Sequence, residues 1–305
     1  MNSPWPLGRC FFSAKFPWLN LPPLGAVQRD LPFRGTYLFA FLQERLFPEG
    51  CTLCGKILES GAGAFYGLCA PCRKNLESLM PEPDTGRRCS LCGRPLISER
   101  ETCLSCRNGP SRSFDRALSL FPYAGTYRNL LRAYKFGRRL SLGNFFAKQL
   151  LRGYKMLFPA TSGQPECWIP VPPRPGKIKK TGWDQIDYLA RLLERHGADP
   201  PVRRCLKRLS SENQKELNRE RRRSNLKGRI TVKEGPRFFQ ANFFKEGPGK
   251  AGTAEGSLQG KAYPVPKTAL VFDDVYTTGS TLDACAEALK NRGAERVYGL
   301  CLFYD

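Results

Sequence analysis

Apolar positions along this chain change register several times, and each change marks an element. From Phe114 to Tyr123 an apolar stretch carrying Ala117, Leu118, Leu120 and Phe121 predicts a buried strand. Helical spacing follows, first at Leu130, Leu131 and Tyr134, then at Leu142, Phe145, Phe146 and Leu150. Trp168-Ile169-Pro170-Val171-Pro172 predicts a second strand running into a loop restricted by its prolines. The next helix carries Ile186, Leu189, Ala190 and Leu193 on one face, with His196 near its end as a surface or capping residue. Ala269 to Phe272 predicts another buried strand, followed by a helix with Leu282, Ala286 and Leu289 on one side. Val297 to Phe303 predicts a final strand that closes the sheet. Strands alternating with helices imply an α/β class with a mostly parallel sheet.

Three stretches lack this patterning. Residues 1–35 are aromatic and Pro-rich, and Pro4, Pro6, Arg9, Lys15 and Pro17 interrupt any signal-peptide core, so an extension outside the fold is expected. After a predicted apolar helix at 36–47, residues up to 110 are rich in Gly, Pro and Cys. Residues 235–262, Gly-rich with Lys, Phe and Ala, read as a flexible insertion. The expected plan is therefore extension (1–35), cysteine module (36–110) and α/β domain (111–305). No run of 18 apolar residues occurs, so no membrane span is predicted and a cytoplasmic location is expected, peripheral to the membrane only through partners.

Eight of the thirteen cysteines form four Cys-x-x-Cys knuckles: Cys51/Cys54, Cys69/Cys72, Cys89/Cys92 and Cys103/Cys106. A two-residue spacer lets both thiolates reach one tetrahedral ion, and Cys-Gly at 54–55 and 92–93 supplies the tight turn. The simplest pairing gives two structural Zn²⁺ sites in chain order, with a crossed pairing as the alternative. Four thiolates leave no open position for catalysis. Cys10, Cys167, Cys205, Cys285 and Cys301 remain as free thiols, mostly in the core.

Two carboxylates, Asp273 and Asp274, end the strand that begins at Ala269, and Thr277-Thr278-Gly279-Ser280-Thr281 leads into the next helix. Backbone N–H groups at such a helix start can hold a phosphate, and Gly279 lets the backbone approach it. Ser280 and Asp283 have the spacing of a capping box. The acids suit sugar hydroxyls or a hydrated Mg²⁺, so a ribose 5-phosphate site is expected. The stretch resembles the PRPP loop of type I phosphoribosyltransferases. That resemblance implies Asp273 and Asp274 on the ribose hydroxyls and Thr277, Thr278, Gly279, Ser280 and Thr281 around the 5′-phosphate.

Charge changes the picture further. Lys and Arg number 49 against 27 Asp and Glu, a net charge of +22 with a single histidine, which favours polyanionic partners. Between Arg203 and Arg229 lie Arg204, Lys207, Arg208, Lys215, Arg219, Arg221, Arg222, Arg223 and Lys227. A second basic group, Arg128, Arg132, Lys135, Arg138 and Arg139, has Tyr127, Tyr134 and Phe136 beside it as candidate stacking platforms for single strands.

Taken together the pieces resemble the ComF family, competence-associated proteins with an N-terminal double zinc ribbon and a phosphoribosyltransferase-like domain. The resemblance rests on the knuckles, Phe121-Pro122-Tyr123-Ala124-Gly125, Lys135-Phe136-Gly137, Ile169-Pro170-Val171-Pro172, Gly182-Trp183-Asp184-Gln185, the set Gln214, Leu217, Arg222 and Asn225, and the PRPP loop. It implies a type I phosphoribosyltransferase fold and a pyrophosphate loop within 171–185, where Arg174, Lys177, Lys179 and Lys180 supply charge. Arg174, Thr181, Trp183, Asp184 and Ile230 depart from the family pattern.

Three function classes follow. One is DNA uptake or processing through single-stranded DNA binding, with PRPP or a ribose phosphate as ligand. Another is transfer of ribose 5-phosphate from Mg²⁺-PRPP to an acceptor, for which no catalytic base is evident. The last is a zinc-ribbon scaffold docking a helicase or other DNA-uptake protein.

Overall fold

A computed structural model describes residues 49–58, 61–79, 88–159, 163–209, 229–233 and 264–305. The expected extension at 1–35, the helix at 36–47, the insertion at 235–262 and most of the basic run between Arg203 and Arg229 lie outside the described residues. The described residues all fall in one compact unit.

The first part holds short helices α1 (Ala62–Tyr66), α2 (Ala70–Ser78) and α3 (Leu104–Arg107) between the cysteine knuckles. The second part runs β1 (Arg116–Pro122), α4 (Gly125–Lys135), α5 (Leu142–Leu157), β2 (Cys167–Pro170), α6 (Lys177–Thr181), α7 (Gln185–Arg195), β3 (Leu206–Arg208), β4 (Ile230–Val232), β5 (Thr268–Tyr276), α8 (Ser280–Lys290) and β6 (Arg296–Tyr304). Strands β1, β6, β5 and β2 make a four-stranded sheet in that order, every pair parallel. The short β3 and β4 pair antiparallel as a separate ribbon.

The expected final strand is present and lies in the centre of the sheet, between β1 and β5. Leu300, Cys301, Leu302 and Phe303 are all fully buried. An unbroken apolar run is how a parallel strand covered on both faces reads, whereas a half-exposed edge strand would alternate.

Two layers cover the sheet. On one face Leu118, Leu120, Leu270, Phe272, Leu300 and Leu302 meet the apolar stripes of α4, α5 and α7. On the other, Ala117, Val271, Val297 and Cys301 meet α8 and the β3–β4 ribbon. The first cysteine module joins the former layer through Cys51, Leu58, Leu68 and Leu76. The second joins the latter through Cys89, Cys92 and Cys103.

Candidate functional site: two cysteine clusters and a strand-end cradle

The knuckles fold alike. Gly55 N–H donates to the Cys51 carbonyl at 2.9 Å and Gly93 N–H to the Cys89 carbonyl at 2.9 Å, and both glycines have left-handed backbone. Cys69 and Cys103 stand at the caps of α2 and α3. The sulfurs gather in chain order, Cys51, Cys54, Cys69 and Cys72 in one group and Cys89, Cys92, Cys103 and Cys106 in the other, each within 4.8 Å of its fellows. Cys54 and Cys69 Sγ are 3.7 Å apart, as are Cys92 and Cys103 Sγ. With Zn–S of about 2.3 Å a tetrahedron has edges of about 3.8 Å, so both groups fit zinc, and four sulfurs complete each shell.

The acid pair stands on β5, where neighbouring side chains leave on opposite faces. Asp274 is buried, and its Oδ2 accepts from Lys135 Nζ at 3.0 Å and from Gln185 Nε2 at 2.9 Å. Tyr134 Oη fixes the Gln185 carbonyl at 2.8 Å. Lys177 Nζ donates to the Gln185 side-chain oxygen and to Asp184 Oδ2, the latter at 2.6 Å. Asp184 in turn caps α7, Oδ1 accepting from Ile186 N–H at 2.9 Å and Asp187 N–H at 3.0 Å. Asp274 thus belongs to a closed polar network spanning α4, α6 and α7.

Asp273 differs. Its Oδ1 accepts the Asp274 N–H at 2.8 Å. Removal from water and the charge of Asp274 hold its carboxyl well above the ordinary range, offset in part by that N–H and by the fields of Lys135 and Arg208. Burial lowers the Arg208 guanidinium, and Asp273 pulls it back up while the fields of Arg174 and Arg229 push it further down. Arg208 is thus the guanidinium whose field reaches Asp273, and Arg174 and Arg229 act on Arg208.

The loop after β5 closes on Gly279, the cap of α8, at φ 76°. A Cβ there would stand 2.4 Å from Tyr276 Oη, so both backbone and space require glycine. The expected capping box does not form. Asp283 Oδ1 instead accepts from Ser113 N–H at 2.6 Å, and its own N–H donates to the Gly279 carbonyl at 2.9 Å. A buried carboxylate takes the nearest donor that can follow it into the core, and that donor comes from the segment before β1. The cap residue Gly279 has no side chain to close α8, and Ser280 N–H makes only a long bond to Thr278 Oγ1 at 3.4 Å, which suits a helix start that can turn to an anion. Thr277 and Thr278 are exposed beside it, Thr278 Oγ1 and Ser280 Oγ lie 2.8 Å apart, and Arg112 holds the Thr278 carbonyl at 2.8 Å.

Of the expected pyrophosphate-loop cations, Arg174, Lys179 and Lys180 are exposed, whereas Lys177 is committed to Asp184. Of the expected stacking aromatics, Tyr127 and Tyr134 are buried and only Phe136 stands out, at 74% exposure. Their place on the apolar stripe of α4 already turned the tyrosines inward. His196 meets Asn144 Oδ1 at 3.2 Å and lies edge-on to Phe65, a surface clip. Sequence reasoning passed over Arg112, Ser113 and Tyr276; an acid among the inward positions of α8 was the available sign that a donor had to come from elsewhere.

Fold and site define an α/β protein with a parallel sheet, a strand-end cradle and a double zinc ribbon. Residues 42–107 match the double zinc ribbon domain family. The chain is 26% identical over 240 residues to Competence protein F of Haemophilus influenzae, covering 77% of this chain and 90% of that protein. It is 25% identical over 231 residues to Competence protein ComFC of Bacillus subtilis, covering 74% and 79%. It is 25% identical over 256 residues to DNA utilization protein YhgH of Escherichia coli strain K12, covering 84% and 96%. These likenesses support the resemblance to the ComF family. Among the described residues no helix is long and apolar enough to cross a membrane.

Proposed function

We propose that this chain serves DNA uptake or processing, binding single-stranded DNA and carrying a ribose-phosphate pocket of the phosphoribosyltransferase kind. The names of its relatives support the first part. The observation that carries the second is the start of α8 at Gly279, a cap residue with no side chain, beside the acid pair. In this reading Thr277 to Thr281 hold the 5′-phosphate. Asp273 is the carboxylate with acceptor capacity to spare for ribose hydroxyls, while Asp274 is held by Lys135 and Gln185 and stiffens the floor. Arg174, Lys179 and Lys180 meet the diphosphate, whose charge bound Mg²⁺ would screen. Transfer to an acceptor is the second reading, for which the raised carboxyl of Asp273 beside the cradle is the base to test.

The DNA surface in this proposal centres on Phe136. Arg132, Arg138 and Arg139 are its neighbours in the chain, and Arg138 donates to the Thr181 carbonyl, joining the Phe136 turn to α6, which carries Lys179 and Lys180. An exposed ring among cations suits a base stacked over a tracked backbone.

Calorimetry of Mg²⁺-PRPP on the zinc-loaded chain tests the pocket. Binding in the micromolar range that Asp273→Asn abolishes is expected, and absence of heat with folded protein rules the pocket out. Phe136→Ala is expected to weaken binding of a dT oligonucleotide by about 1–3 kcal/mol. An unchanged affinity removes Phe136 from the surface.

A further inference from the structure

The last turn of α4 and the residues just after it face two ways. Outward, they present Phe136 at 74% exposure, with Arg138 and Arg139 following it in the chain. Inward, three residues of the same stretch hold the floor and the loop of the ribose-phosphate pocket. Tyr134 Oη donates to the Gln185 carbonyl at 2.8 Å, Lys135 Nζ donates to Asp274 Oδ2 at 3.0 Å, and Arg138 donates to the Thr181 carbonyl. The Tyr134 ring also stands edge-on to Trp183, with 5.5 Å between ring centres. Arg138 makes its contact from left-handed backbone, at φ 50°, the one non-glycine residue so placed among the described residues. Backbone of this kind persists where the surrounding contacts over-determine it, and here they run to the loop before α7.

Lys135 stands between the two sides. Its side chain is 31% exposed, whereas that of Asp274 is 9% exposed. Among the described residues it is the only cation paired with either acid, and its field also favours the ionised form of Asp273. A lysine stem is flexible and its ammonium can turn between partners. A strand phosphate beside Phe136 and the Asp274 carboxylate therefore compete for one ammonium. Turning it outward leaves Asp274 with neutral Gln185 and adds negative charge where an anionic sugar phosphate must enter. A bound sugar phosphate, in return, keeps the ammonium inward and withholds it from the strand. On the proposed reading of both sites, we infer that the single-strand surface and the ribose-phosphate pocket are linked antagonistically through Lys135. Each ligand then weakens the other by the same factor, so arrival of the sugar phosphate loosens the DNA.

The probes are a fluorescent dT oligonucleotide and Mg²⁺-PRPP, each titrated onto the full zinc-loaded chain alone and then with the other present. Expected is a rise of about fivefold or more in either dissociation constant, equal in the two directions, that levels off as the second ligand saturates. A rise without a plateau means that PRPP displaces the strand from one shared surface, and it overturns the proposal. Asp273→Asn, which should empty the pocket, is expected to remove the effect of PRPP on the strand; an effect that survives overturns the linkage. Lys135→Gln should bring the factor below about twofold, with zinc content and melting showing that the variant is folded. A folded Lys135→Gln that keeps the full factor removes Lys135 from the link and overturns the proposal as stated. The parent alone is decisive in any case. If both ligands bind it and neither moves the other, the linkage falls while both sites stand. If one ligand fails to bind on its own, the reading of that site falls and takes the linkage with it.

Discussion

The two cysteine clusters share their spacer, their knuckle hydrogen bonds and their sulfur geometry, yet they are attached to the molecule in different ways. The first is held by side chains at the surface: Asn144 Nδ2 donates to the Phe65 carbonyl at 2.8 Å, and Lys148 pairs with Glu77 at 2.9 Å. The second is held on the main chain of β1. Ala117 N–H of β1 donates to the Leu91 carbonyl at 2.7 Å, and Arg88 reaches the Ser119 carbonyl at 3.0 Å. One motif is a clamp on helices and the other an extension of the sheet edge. A metal-binding motif fixes its own shape; what it supports is decided by what it rests on.

The comparison breaks most sharply at the ligands. Cys92 is buried and Cys54 exposed, so Cys92→Ser should unravel the edge of the sheet along with its metal site, while Cys54→Ser should lose one zinc and keep a cooperative melt. Metal analysis together with circular-dichroism melting decides this, and equal damage from both would erase the distinction. A finer probe uses the equivalent glycines. A Cβ on Gly55 meets nothing within 4 Å, whereas on Gly93 it would stand 2.5 Å from the Ala117 carbonyl oxygen and 2.6 Å from Leu118 Cα. Gly55→Ala should cost about 1 kcal/mol, from left-handed backbone alone. Gly93→Ala should cost about 3 kcal/mol, because a backbone neighbour cannot step aside. Denaturant unfolding measures both. On the first cluster, Asn144→Ala should cost only about 1 kcal/mol, read the same way.

The smallest effect sharpens the contrast between the two faces rather than the two clusters. Asp273 sits on the layer of the second cluster with a raised carboxyl. The unfolded carboxyl ionises first, so the native state holds more protons between the two values, and stability falls as pH climbs through that window. Asp273→Asn removes this slope, and its melting temperature should gain on the parent's from acid towards neutral pH. Parallel curves would mean that Asp273 ionises normally.

Much of this was legible in the chain. Periodicity located the strands and helices that carry the core, and the knuckle spacing located all eight sulfurs. Less legible was anything set by distant partners. Asp274 meets Lys135 and Gln185 from 139 and 89 positions away, and Asp283 meets Ser113 from 170. No local pattern encodes such pairings; sequence says only that a buried acid needs a donor. Lys177 shows the same limit: as a residue type it is a phosphate ligand, and its neighbours in space make it a network strut.

The central place of β6 bears on how the molecule is made. β1 and β5 have no common edge until β6, the last strand in the sequence, slides between them. A chain emerging from synthesis therefore carries β1 long before its strand partner exists, and β1 meanwhile has its other flank occupied by Leu91 and Arg88. Contacts so distant in sequence make assembly slow. The edge beside the second cysteine cluster gives the waiting strand one covered side, and β6 acts as the keystone that turns separate strands into a sheet.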